Sequence, residues 1–144
     1  MKKQEVKRVL FWHNQYPEHS HNNPNFGRNG SIHRLIKKIS RKKIYWKFMG
    51  GFINENRTDF WEKAETTDVL FCLPSNMDYD DAKMNFDVAE QLLLEIIQKI
   101  KEKNPKIKIF FLEDAHHLEK EISAHGEFIT DLHNDEAVIK YFKK

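Results

Sequence analysis

The chain has 144 residues, 40% hydrophobic and 32% charged: the length of one domain, 1–144, with apolar content for a full core and too much for a disordered segment. No apolar run approaches the roughly 20 residues of a membrane span, residues 1–7 lead into no secretory h-region, and the lone cysteine, Cys72, cannot form an internal disulfide, so a cytoplasmic protein without membrane contact is expected. The net charge of +2 divides unevenly: residues 1–57 hold 13 Lys and Arg against 3 Asp and Glu, a balance of +10, and residues 58–144 hold 11 against 19, a balance of −8.

Residues 8–12, Arg-Val-Leu-Phe-Trp, are a short apolar run bounded by polar residues and predict the first strand. A long loop follows at 13–30. It carries His13, His19 and His21 and five asparagines. Such a loop in a compact domain is uncommon and is often a binding loop or lid. Ser31 is placed to cap a helix over 32–39, whose apolar face is Ile32, Leu35, Ile36 and Ile39. Residues 44–48 predict the second strand, and Thr58 or Asp59 the cap of a short helix through 65. The third strand falls at 68–73. Phe86 to about Lys103 is the strongest helix, with Phe86, Ala89, Leu92, Leu93, Ile96, Ile97 and Ile100 repeating at three and four, and Asn104-Pro105 ends it. Residues 107–112 predict the fourth strand, 117–124 a short helix and 126–130 a weaker fifth strand. Asn134 is placed to cap a last helix with Ala137, Val138, Tyr141 and Phe142 on its apolar face. Trp12, Trp46, Phe48, Phe110 and Phe111 read as core, and Phe60 and Trp61 as anchors of the short helix.

Five strand–helix units in succession predict a parallel sheet covered by helices on both faces. Five units without a Gly-rich fingerprint favour a three-layer flavodoxin-like fold, strand order 2-1-3-4-5, over a six-stranded dinucleotide fold. No internal repeat or second domain is visible.

From Asp68 onward the spacing resembles the receiver domain of response regulators. Thr67-Asp68-Val69-Leu70-Phe71-Cys72-Leu73 is similar to the third receiver strand and Asn104-Pro105-Lys106 through Leu112 to the lead into the fourth. Gly126 with Phe128-Ile129-Thr130 is similar to the fifth, and Asp135-Glu136-Ala137-Val138 to the last helix. The resemblance implies a flavodoxin-like fold and a signalling role. The family's chemical residues do not carry over. The paired acids after the first strand are here His13 and Asn14. The phospho-accepting aspartate is Leu73, whose side chain has no carboxylate to take a phosphoryl group. The switch hydroxyl position holds Glu113, and the family's lysine falls on Asp131 or Leu132. A shorter stretch, Asp78 to Asp87, resembles the aspartate-rich segment of nucleoside 2-deoxyribosyltransferases. It implies Asp87 as the nucleophile, but the glycine of that family's stretch is missing here.

In a parallel sheet, ligands bind beyond the carboxyl ends of the strands, at the switch point. That rule gathers His13, Asn14, His19, His21, Arg28 and Asn29 from the first loop, with Ser31 behind them. The third loop adds Ser75, Asn76, Asp78, Asp80 and Asp81, and the fourth Glu113, Asp114, His116 and His117. Three chemistries fit. Imidazoles and carboxylates are ligands for a divalent metal, with His19, His21, Glu113 and His116 as the candidate set. Gly27-Arg28-Asn29-Gly30-Ser31, entering a helix, suits the phosphate of a nucleotide. His13 beside Asp78 or Asp80, or His116 beside Glu113, suits general acid–base work. Cys72, inside a strand, reads as a small buried hydrophobe, and Ser75 lacks the Gly-x-Ser-x-Gly elbow of an activated nucleophile.

The leading expectation is therefore a non-phosphorylatable receiver-like module that binds a protein partner or a small nucleotide-like ligand at this edge. A small nucleotide- or nucleoside-processing enzyme, with or without a divalent metal, competes with it. A third expectation is nucleic-acid binding through the basic half, where Arg41-Lys42-Lys43 adjoins Tyr45 and Trp46.

Overall fold

A computed structural model of the chain describes residues 6–13, 31–50, 56–72, 86–111, 119–129 and 134–143. The strands are β1 (Val6–His13), β2 (Lys43–Gly50), β3 (Val69–Cys72), β4 (Lys108–Phe111) and β5 (Glu127–Phe128). The helices are α1 (Ser31–Ile39), α2 (Thr58–Thr66), α3 (Phe86–Lys103), α4 (Glu119–Ser123) and α5 (Glu136–Phe142). All pairings are parallel, in the order β2-β1-β3-β4-β5. This is the three-layer flavodoxin-like α/β fold that the alternation predicts. Among the described residues, no helix is long and apolar enough to cross a membrane.

The central strands are apolar at both parities because both faces of the sheet are covered. Leu10, Trp12, Leu70, Cys72, Ile109 and Phe111 pack beneath α2, α3 and α4. Val9, Phe11, Val69, Phe71 and Phe110 pack beneath α1 and α5. α3 buries Leu93, Ile96, Ile97 and Ile100, the stripe that its spacing defines. Trp12, Phe60, Trp61, Phe110 and Phe111 are core as expected, whereas Trp46 is only half-buried. The side chain of Phe48 lies outside the described ones.

The amino end of the sheet is held by polar groups. The Asp68 carboxylate accepts from the Arg8 amide at 2.8 Å. Its own amide donates to the Arg8 carbonyl, and its carbonyl accepts from Lys108, so one residue ties three strands. Asn104, just past α3, donates through its side-chain nitrogen to the carbonyls of Ala64 (2.9 Å) and Thr67 (2.7 Å), which locks α3 to the end of α2. The Thr67 hydroxyl donates to the Lys63 carbonyl at 2.6 Å.

Three helix starts differ from expectation. Ser31 is the first residue of α1, not its cap. Arg57 occupies the N-cap of α2 without a side-chain cap bond; Thr58 is already helical, and Asp59 accepts from the Arg57 guanidinium instead. Asp135, not Asn134, caps α5, accepting from the Ala137 amide at 2.9 Å. Asp and Asn cap comparably well, so residue type alone did not separate these neighbours. β5 is also shorter than expected, at two residues. Gly126 leads into it because a Cβ there would sit 2.6 Å from the Ile109 carbonyl oxygen and 2.8 Å from the Phe111 ring.

Candidate functional site

The strand ends define the frame of the carboxyl edge. Trp12 is level with Cys72, Cys72 with Phe111, and Phe111 with Phe128. At about 4.8 Å between neighbouring strands, the ends of β1, β3 and β4 fit within about 10 Å. The order reverses between β1 and β3, since the chain leaves β1 for β2 on one side and returns to β3 on the other. This is the switch point at which ligands of such folds bind.

The last described row below that edge is apolar. Trp12, Cys72 and Phe111 are fully buried. The Trp12 ring lies 5.4 Å from Phe60 and the Phe111 ring 5.0 Å from Phe128. Cys72 is thus part of the core, as its place in a strand predicts. On the same side of the sheet, the start of α2 carries the Arg57–Asp59 ion pair at 3.1 Å.

His13 is the last residue of β1, paired in register with Gly50. Ser31 opens α1 and is buried. Asp87 is the second residue of α3. Asn14, His19, His21, Arg28, Asn29, Ser75, Asn76, Asp78, Asp80, Asp81, Glu113 and His116 lie outside the described residues. Topology therefore brings the roots of their three segments to adjacent strands. Among the described residues, no group of three or more His, Cys, Asp or Glu is placed to hold a metal ion.

The other histidine chemistry that the structure describes is structural. His33, in α1, is buried with its ring 4.6 Å from Trp46 and 6.3 Å from Phe11. Two described groups have shifted pKa values: Asp59, at the start of α2 on the carboxyl side of the sheet, and Lys101, near the end of α3 on the amino side. Asp59 is held below the ordinary carboxylate value by the hydrogen bond from Arg57. Lys101 is lowered by partial burial and then by the Lys108 charge, and it donates to the Ile107 carbonyl at 2.9 Å.

No family model matches the sequence, and no curated protein matches it. Function is therefore argued from the fold and from the residues. One feature escaped the sequence reading. At the opposite, amino end of the sheet, Phe142 and Lys143 from the last helix join Lys38 to Lys42 around one recess. The basic run at 41–43 was a local signal for half of it. The contribution of Lys143 comes only from tertiary structure.

Proposed function

We propose that this chain is a receiver-like signalling or interaction domain that does not accept phosphoryl groups, and that it meets a protein partner or a small nucleotide-like ligand at the carboxyl edge. The observation that carries the reading is the strand order, with its switch between β1 and β3. In receivers, the acids and the phospho-accepting aspartate follow those two strands. Here His13 ends β1 and Asn14 is next in sequence, and Leu73 is next after β3. Neither an imidazole with an amide nor an aliphatic chain reproduces a carboxylate nucleophile with an acidic metal site. Fold alone does not give function. The reading rests on the fold together with this substitution of residue types.

The test is exposure of the full chain to acetyl phosphate with Mg²⁺, followed by intact-mass measurement, beside a thermal-shift screen against nucleotides, nucleosides and divalent metals. The expected result is no phosphoryl adduct and no turnover of any nucleotide or nucleoside. A ligand that binds at this edge raises the melting temperature, because it binds the folded state alone. That shift is expected to vanish in His13→Ala or Arg28→Ala. An acid-labile phosphoryl adduct overturns the proposal. Hydrolysis or base exchange of a nucleoside, lost in Asp78→Asn or Asp80→Asn, replaces it with the enzymatic reading.

A further inference from the structure

We draw no further inference here: the strongest candidate, the surface patch on edge strand β2 where the exposed Tyr45 ring lies 5.2 Å from the Arg8 guanidinium, is on the sheet face opposite the basic recess of α1 and α5, and nothing in the structure shows what covers it.

Discussion

Through the middle of the sheet, the row toward α1 and α5 presents rings and the neighbouring row toward α2, α3 and α4 presents aliphatic chains, while Trp12 and Phe111 follow on that second face one row nearer the carboxyl edge. Phe11, Phe71 and Phe110 share one register row across β1, β3 and β4. Their rings stack at 5.2 and 5.3 Å with interplanar angles of 13° and 20°. Trp46 closes this ladder edge-on at one end and Tyr141 at the other. On the opposite face the equivalent row is Leu10, Leu70 and Ile109. The helices explain the difference. α1 and α5 have nine and seven residues, whereas α3 alone has 18. Short helices bring few apolar side chains, so the sheet supplies bulk. A long helix brings Leu93, Ile96, Ile97 and Ile100 against Leu10, Leu70 and Ile109, and Trp12 and Phe111 fill the next row beside Phe60 and Phe128. Interiors pack to uniform density, and each layer reaches it from a different side. The arrangement also fixes register, because a one-residue slip of β3 would exchange Phe71 with its aliphatic neighbours.

The largest expected effect breaks the ring ladder. Phe71→Ala removes a ring stacked on both sides and should cost about 3–5 kcal/mol. That is a large part of the 5–15 kcal/mol typical of a whole domain. Ile97→Ala, in the aliphatic layer, should cost about 2–4 kcal/mol. Urea denaturation of both variants checks the order. If Ile97→Ala proves the more damaging, the ladder is not the stronger layer.

A second contrast concerns the polar groups that fasten each layer. Asn104→Ala leaves two carbonyls, those of Ala64 and Thr67, without their side-chain donor. Its expected cost is about 1–3 kcal/mol. Asp135→Ala removes one buried cap from α5, at about 0.5–2 kcal/mol. At roughly 3 °C per kcal/mol for a chain of this size, the two melting temperatures should separate by a few degrees. Equal shifts would mean that Asn104 makes no net use of its second bond.

The two layers also show where the sequence was legible. Strand runs with both parities apolar announced a sheet covered on both faces, and the three-and-four spacing of α3 placed its helix. Strand order followed from the count of units and the lack of a glycine fingerprint. Which parity faces which layer was not legible, because Leu70 and Phe71 are both plain core residues until helix lengths and crossovers assign them. The cap of α5 was misplaced by one residue, since adjacent Asn134 and Asp135 are near-equivalent cappers, whereas α1 and α2 begin on Ser31 and Thr58 themselves, α2 after Arg57, which forms no side-chain cap bond. At the candidate edge, sequence and topology together bring the roots of three loops to adjacent strands. Lys143 could not be joined to Arg41 from sequence, because some hundred residues separate them and only the packing of α1 against α5 unites them.

The smallest effect lies at the start of α2. Arg57 and Asp59 form an exposed pair at 3.1 Å, with the Asp59 side chain 60% exposed. Such pairs contribute at most about 1 kcal/mol. Arg57 lowers the folded pKa of Asp59 below its ordinary 3.8. The folded state then binds the proton less tightly than the unfolded one, so stability falls as protons are added. The contribution is fully present above pH 3.8 and is lost as pH drops through the lowered folded value. Asp59→Asn should therefore melt slightly below the parent at neutral pH and level with it in strong acid. A difference that persists unchanged into acid would assign the effect to helix geometry at the Arg57 cap instead of to the charge of Asp59.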